Sequence, residues 1–231
     1  MLRKITLLIF ITFLFSNSQI EEYIYDVEIK GISIIAGKVG KCSLKIEKNE
    51  NNEYNMSIVT KTTNLAKILY PYVDEIKLKI DNYFSLLSID QKISNRDKKL
   101  KINVDQKNKT ITRNGKILNF LEIPDTLFSP YSLIHFLRKQ KIEINNQYAY
   151  KIFDGRKITD ILLQVSKIEK IKVPYGNFEC LNVKPITEEN TIKNNGVLEL
   201  WYTNNDEKIP IKIKLETKIG TFIMKLKTIN N

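Results

Sequence analysis

Apolar residues recur at every second position in short runs along most of the chain, and this alternation constrains the fold more than any other feature. The clearest run is KIPIKIKLETK, residues 208–218, in which isoleucine and leucine side chains alternate with lysine and glutamate. Successive side chains of a β-strand point to opposite faces, so such a run predicts a strand with one buried and one wet face. The pattern recurs in EYIYDVEIKG (22–31), GKCSLKIE (40–47), EYNMSIVT (53–60), KLKINV (99–104), NQYAYKIF (146–153) and TFIMKLKTI (221–229). Further predicted strands are KTITR (109–113), KILNFLEI (116–123), RKITDILLQV (156–165), SKIEKIKV (166–173), NFECLNV (177–183) and GVLELWYT (196–203).

Tight turns separate these runs. Asn114-Gly115 is a strong two-residue hairpin signal, Asp154-Gly155 is a second one, and Pro174-Tyr175-Gly176 is a third turn. Strands of period 2 joined by tight turns predict an all-β, mainly antiparallel sheet. At least ten strands in one sheet must curl or close to limit exposed edges, so we expect a rolled or barrel-like sheet. No linker-like stretch divides the chain, which favours a single domain over residues 19–231.

One segment breaks the β pattern. DTLFSPYSLIHFLRK, residues 125–139, predicts a short helix near 130–139, with Ser129 as the N-cap and Pro130 at the first helical position. Such a short helix must dock on something, most simply over an open end of the rolled sheet. Its apolar residues cover a wide face, which leaves His135 on the polar stripe. We therefore expect this histidine at the surface or supporting other residues, with ligand contact and catalysis as the less favoured alternatives. A second helical turn is possible within TNLAKILYPYVDE, residues 63–75.

The N-terminus predicts export. Arg3 and Lys4 precede an apolar run over residues 5–15, and small residues at 16–18 suit a signal peptidase site. The run is too short to span a bilayer comfortably, so we predict a signal peptide at residues 1–18 rather than an uncleaved anchor. The mature chain is then expected in the periplasm or cell envelope, with no transmembrane helix of its own.

The net charge of +11 suggests anionic partners. An exported protein seldom meets nucleic acid, so we expect no nucleic-acid partner. The lysines are mixed with glutamates, which favours a solvated lysine surface, and attraction to anionic lipid head groups is the alternative.

The candidate chemistry is sparse. His135 is the only histidine, and no nucleophile elbow, HExxH motif or phosphate loop accompanies it. Metal sites usually recruit several His, Cys or carboxylate ligands, so we predict no metal, no cofactor and no catalytic residue. Tyrosines and the single tryptophan could line a pocket, although aromatic residues on alternating strands are more often core. The candidate binding residues are Tyr131, His135, Arg138, Tyr148, Tyr150 and Trp201.

Two cysteines, Cys42 and Cys180, lie in predicted strands of an exported chain. A disulfide between them is chemically permitted in an oxidising compartment. Two buried free thiols, behaving as small apolar side chains, are the alternative. Sequence cannot choose between these, because it does not place the two Cα atoms within bridging distance.

Four segments carry a resemblance to a known family. The helix segment resembles a D-x-x-S-x-x-Y-x-L-R motif, and VPYGNFECLNVKP (173–185) resembles P-x-G-x-F-x-C. LELWYTNNDEKIPIKIKLETKIG (198–220) resembles a W-x-T-x-x-D-x-x-x-P hairpin with the strands that follow, and YDVEIKGISIIAGKVG (25–40) resembles an opening strand with its glycines. In this order, over about residues 22 to 228, they resemble a bacterial family of exported, periplasmic proteins known only as a domain of unknown function.

The resemblance implies an antiparallel β-roll in the periplasm or envelope, and it implies no activity. The chain departs from the family pattern at three places. The register around Phe128 and Pro130 differs, Lys208 stands where arginine is common, and Asn205 precedes the aspartate that aligns.

Two functions remain open at this point. A curled sheet capped by a helix can enclose an apolar cavity, which favours a non-enzymatic binding module for a lipid or other apolar ligand. The alternative is a structural or partner-binding envelope protein with a filled core, whose exposed strand edges accept a protein partner. An enzyme without a recognisable motif is the least favoured hypothesis.

Overall fold

A computed structural model describes residues 20–31, 37–94, 97–186, 197–217 and 220–230. The predicted signal peptide, residues 1–18, lies outside the described residues. In chain order the elements are β1 (Ile20–Lys30), β2 (Gly37–Lys48), β3 (Tyr54–Thr62), α1 (Asn64–Leu69), β4 (Val73–Ile80), β5 (Leu86–Ile93), β6 (Lys98–Asp105), β7 (Thr110–Arg113), β8 (Lys116–Leu118), α2 (Pro130–Arg138), β9 (Gln147–Phe153), β10 (Ile158–Val173), β11 (Gly176–Pro185), β12 (Val197–Thr203), β13 (Pro210–Thr217) and β14 (Gly220–Asn230).

The strands form one sheet in the order β8-β7-β6-β5-β4-β3-β2-β1-β14-β13-β12-β11-β10-β9. Strands adjacent in sequence pair antiparallel, except β8 and β9, which lie at opposite ends of the strand order, and β1 also pairs antiparallel with β14. The first and last strands therefore lie side by side in the middle of the sheet, and the two halves of the chain extend outward from them. The predicted all-β, antiparallel sheet is confirmed.

The two outer parts of the sheet are brought together by an extended segment at residues 127–128. The backbone N–H of Phe128 donates to the Lys151 carbonyl of β9 at 3.0 Å, and the Phe153 N–H donates to the Phe128 carbonyl at 2.8 Å. On its other side, the Leu127 carbonyl accepts from the N–H of Leu86, at the start of β5, at 2.7 Å. This segment forms backbone hydrogen bonds with β5 on one side and with β9 on the other, so the sheet is rolled and barrel-like.

The alternation predicted from the sequence places the core. Ile211 and Ile213 of β13 are buried, as are Leu44 of β2 and Ile58 of β3, while the residues between them are more exposed. Strands β4 and β5 were not predicted from the sequence, although Ile76, Leu78 and Ile80 of β4 alternate in the same way and are buried.

The hairpin turn predicted at Asn114-Gly115 is confirmed by its backbone angles. Asn114 has φ of 50° and Gly115 has φ of 80°, so both central residues of the β7–β8 turn are left-handed. That pairing is the type I′ turn whose twist matches the flanking strands.

Both helices are short. α2 is the predicted capping helix, and α1 lies within the segment where a second helical turn was possible. In the part of the chain that the structure describes, no helix is long and apolar enough to cross a membrane.

Candidate functional site

Helix α2 closes the interior of the roll, and local sequence fixes where it starts. The Ser129 hydroxyl accepts from the Ser132 N–H at 3.0 Å, and the Ser132 hydroxyl accepts from the Ser129 N–H at 3.0 Å. This reciprocal capping satisfies two of the helix's otherwise unpaired donors in a buried setting. Farther along, the Tyr202 hydroxyl of β12 donates to the Ile134 carbonyl at 2.8 Å, which ties the helix to the sheet.

A series of aromatic contacts connects α2 to residues on both sides of the roll. The ring of Phe136 lies 4.7 Å from Phe128 and 5.7 Å edge-on from Tyr150 of β9. It also lies 6.2 Å from Phe84, whose ring stacks on Tyr54 of β3 at 4.7 Å. Edge-to-face and offset contacts of this kind add stabilisation beyond the area they bury. The helix is therefore held to both sides of the sheet.

Between α2 and the sheet lies an apolar cavity of about 140 Å³. Its walls come from the inward faces of β1 to β6, β9 and β12 to β14, and from the first turns of α2. The side chains that define it are mostly aliphatic, with two tyrosines and a thiol among them: Tyr25, Cys42, Leu44, Ile58, Ile76, Ile89, Leu100, Tyr131, Ile134, Phe153, Leu198, Ile213, Leu215 and Met224. A few polar groups, including Gln91 and Ser129, also reach the cavity.

The polar groups near this cavity are paired with each other. The Gln91 amide donates to both oxygens of Asp74, at 2.8 and 3.0 Å, and the Tyr72 hydroxyl donates to Asp74 at 3.1 Å. The Tyr25 hydroxyl donates to the Pro210 carbonyl at 3.0 Å. Burial raises the pKa of the Tyr131 hydroxyl well above its usual value, and the Asp74 charge adds to the effect. The cavity therefore offers mainly apolar surface to a ligand.

A second, polar cleft of about 100 Å³ lies at the C-terminal end of α2. There the Arg138 guanidinium donates to the Glu21 carboxylate at 2.6 Å and lies 5.2 Å from the centre of the Tyr23 ring. Burial by itself would raise the pKa of Glu21, but hydrogen bonds from Arg138 and Tyr23 hold it below its ordinary value. The Arg138 Nε also donates to the Glu207 carbonyl in the β12–β13 turn at 3.3 Å. Arg138 therefore joins α2 to β1 and to a turn.

His135 is not at the surface, so the predicted surface position is wrong. Its side chain is 2% exposed, and its ring lies 5.8 Å from that of Tyr23. The Nε2 atom is buried without a hydrogen-bond partner, and His135 is one of the residues that line the polar cleft. Burial, with help from the Arg138 charge, lowers the pKa of His135 to about 3, so the imidazole is neutral. The helix has no polar stripe toward water here because the sheet wraps around it.

Trp201 lies on the opposite face of the sheet from the cavity. It is cross-strand from Lys212, whose ammonium lies 3.8 Å from the centre of the indole ring, and its indole N–H donates to Glu169. Tyr202, the next residue, points the other way and contacts α2. The lysine stem and the neighbouring chains bury the tryptophan, which is 4% exposed. Its expected place in a pocket lining is therefore wrong.

The two remaining tyrosines have structural contacts. The Tyr148 hydroxyl accepts from the Glu143 N–H at 2.9 Å and donates to the Lys141 carbonyl at 3.2 Å, which fixes the loop before β9. Tyr150 packs edge-on against Phe128 and Phe136. Of the six candidate binding residues, the structure places Tyr131 at the apolar cavity and His135 and Arg138 at the polar cleft.

Cys42 and Cys180 are free and buried, so the disulfide that the sequence permitted is not formed. Cys42 faces the cavity from β2. Cys180 lies on β11, cross-strand from Glu169, on the face that carries Trp201. Four strands separate β2 from β11 and the two side chains point to opposite faces, so the thiols cannot meet. Burial raises the pKa of each to about 11.

Sequence reasoning missed Glu21 and Gln91 as contributors to these sites. Neither stands in a motif, and Glu21 meets Arg138 across 117 positions of sequence. Within the described ranges, no three His, Cys, Asp or Glu side chains are grouped in a way that would hold a metal ion.

Comparison with known proteins places the fold and the family. A crystal structure of a β-barrel-like protein of the domain of unknown function DUF1849, from Brucella abortus, is similar at a TM-score of 0.59 and 12% identity, covering 91% of this chain and 97% of that one. The crystal structure of "a putative lipoprotein" from Parabacteroides distasonis gives a TM-score of 0.35 at 13% identity, covering 91% and 94%, and we infer nothing from it. No curated protein matches the chain. The pattern of one family matches residues 24–227, most of the chain, so the protein belongs to the family of proteins of unknown function DUF3108.

Proposed function

We propose that this protein is a non-enzymatic binding protein of the cell envelope, whose interior cavity takes a small apolar group of its ligand. The observation that carries the proposal is the apolar cavity beneath α2. Well-packed interiors rarely leave voids larger than a water molecule, so a cavity of about 140 Å³ favours a binding role. The envelope location rests on the predicted signal peptide.

The cavity volume limits what can enter. Pockets for drug-sized ligands are typically about 300–1,000 Å³. An engineered apolar cavity of about 150 Å³ stays dry and binds benzene. The group that enters is therefore about the size of a six-membered ring or a short stretch of acyl chain, and the rest of a lipid would remain outside.

The walls suit an apolar group better than a polar one. The Tyr25 hydroxyl and the Gln91 amide are already bonded within the protein, so a polar ligand group would find few free partners. Burying an unpaired polar group costs about 1–3 kcal/mol, which disfavours such ligands.

Direct binding of a probe tests the proposal, and Cys42 offers a matched pair of variants. Benzene is the probe, added to the reduced protein without its predicted signal peptide and followed by NMR. Cys42→Leu places extra methyl groups in the cavity, whereas Cys42→Ala at the same position leaves it slightly larger. We expect wild type and C42A to bind benzene, and C42L to bind it at least about tenfold more weakly, since a filled void cannot take the ring.

Equal benzene binding by C42L and C42A would contradict the proposal and favour a partner-binding protein with a filled core. Native mass spectrometry of protein purified without detergent complements this test. A stoichiometric small molecule released by solvent extraction would identify the class of the natural ligand.

A further inference from the structure

Helix α1 has its apolar side turned outward. Leu65, Ile68 and Leu69 share one helical face at i, i+3 and i+4 spacing, and their side chains are 74%, 78% and 66% exposed. The residue that α1 buries is Ala66, at 7% exposed. A surface helix normally buries its large apolar residues and exposes its small or polar ones, and α1 does the reverse.

The exposed surface extends beyond the helix to Tyr70, which is 43% exposed. We call Leu65, Ile68, Leu69 and Tyr70 the apolar tip. Eleven large apolar side chains are exposed among the described residues, and four of them are in this six-residue stretch, while the others are spread over different elements. Single exposed apolar residues are ordinary, but a contiguous group marks an interaction surface.

The tip is presented on a rigid base. The Thr63 N–H donates to the Val39 carbonyl of β2 at 3.0 Å, and the Thr62 N–H donates to the Tyr72 carbonyl at 3.0 Å, so both ends of the α1 segment are fixed. Gly40 permits this approach, because a Cβ at that position would lie 2.4 Å from the Lys61 carbonyl oxygen. The exposed residues therefore belong to an anchored projection of the sheet.

Lysines flank the tip. Lys67 is exposed on α1 itself, and Lys61 is exposed where β3 leads into the helix. Lys41 of β2 is cross-strand from Lys61. The Asp74 carboxylate on the following strand accepts hydrogen bonds from Gln91 and a tyrosine. An apolar group flanked by lysines is complementary to an anionic lipid surface.

We propose that the apolar tip docks the protein on an anionic phospholipid membrane, with its apolar side chains at the head-group boundary and Lys61 and Lys67 against lipid phosphates. Tyr70 is suited to the boundary because tyrosine combines an apolar ring with a polar hydroxyl. A second copy of the chain fits less well, since a stable protein interface needs about 20–30 residues from each side, and the tip is one helical turn.

This inference goes beyond ligand binding in the cavity and does not depend on it. Tyr72 stacks on Tyr70 at 6.3 Å and also bonds Asp74, which holds Gln91 at the cavity. The docking surface and the cavity are thus neighbours, although each has its own test. Benzene binding can be absent while membrane binding is observed, and membrane binding can be absent while benzene binding is observed.

The test is co-flotation of the reduced protein, without its predicted signal peptide, with vesicles of phosphatidylcholine containing phosphatidylglycerol. The variant Ile68→Ser with Leu69→Ser removes two of the four apolar side chains of the tip, and Leu121→Ser is the control, because Leu121 is fully exposed outside the tip. We expect the double variant to lower the vesicle partition coefficient by at least about tenfold, since insertion strength scales with buried apolar area. L121S should bind as wild type does.

A second pair of variants separates the charge from the apolar contact. Lys61→Gln with Lys67→Gln should lower binding to anionic vesicles by about fivefold for each lysine and leave weak binding to pure phosphatidylcholine unchanged. Because all four positions are exposed, urea unfolding should show that these variants are as stable as wild type. The proposal is overturned if wild type does not float with anionic vesicles, if the tip variant floats as well as wild type, or if the tip variant instead abolishes a dimer seen by sedimentation.

Discussion

Acidification should destabilise this protein through its single histidine, in a pH window where few other groups titrate. His135 is buried and neutral in the folded state, with its pKa lowered to about 3 by burial and by the Arg138 charge. In the unfolded chain its pKa returns to the ordinary value of about 6.5. The unfolded state therefore binds more protons than the folded state as soon as the pH falls toward 6.5, and the free energy of unfolding must decrease.

The magnitude follows from the two pKa values. Near pH 7.5 the imidazole is neutral in both states and contributes almost nothing. At pH 5.5, one unit below the unfolded pKa, protonation stabilises the unfolded state by about 1.4 kcal/mol, and at pH 4.5 by about 2.7 kcal/mol. The loss continues until the pH reaches the folded pKa. Glu21 acts at lower pH, because its lowered pKa gives stability that is lost only below its ordinary value of 4.5.

Urea unfolding of the reduced protein at a series of pH values from 7.5 to 5.5 measures this loss. His135→Gln is the control, since it removes the titrating group and should give a flat profile in the same window. The imidazole proton resonance of wild type should show no titration between pH 7.5 and 5.5. A wild-type free energy that stays constant over this window, or an imidazole that titrates near 6.5 in the folded protein, would refute the buried, neutral assignment.

Three further outcomes are expected. Arg138→Ala should lower the free energy of unfolding by about 2–3 kcal/mol, because it removes the cation that is paired with the half-buried Glu21 carboxylate; a double-mutant cycle with Glu21→Gln measures the coupling, and independent, additive effects would argue against the pair. Gly40→Ala should cost about 1–3 kcal/mol in urea unfolding, since its Cβ would meet the Lys61 carbonyl, and a neutral result would show that β2 and β3 can separate there. Trp201 should give blue-shifted emission that iodide does not quench, as expected of a buried indole; efficient quenching would place it in water.

The sheet was predictable because its signal is local. In β13, a period of 2 over eight residues determines which side chains share a face, whatever the strand's partners are. Asn114-Gly115 likewise determines its own turn, since both residues tolerate positive φ. The Ser129 cap and Pro130 likewise act locally and determine where α2 begins. All of these predictions are confirmed.

The candidate site was only partly predictable because its contacts are distant in sequence. The polar stripe of α2 predicted an exposed His135, but a helix enclosed by a rolled sheet is buried on its polar side as well. Trp201 was one candidate for a pocket lining, yet which face of β12 turns inward depends on how the roll closes. A one-residue shift of register moves every side chain of a strand to the other face.

By itself, the sequence determined the strands, several turns and the capping helix, because side-chain period and turn chemistry act over a few residues. Only the tertiary structure decided that β1 meets β14, that Arg138 reaches Glu21, that the two cysteines face apart, and that α2 leaves a cavity of about 140 Å³. These features depend on which distant segments the rolled sheet brings together. Packing across a rolled sheet is a property of the whole chain, and no local pattern encodes it.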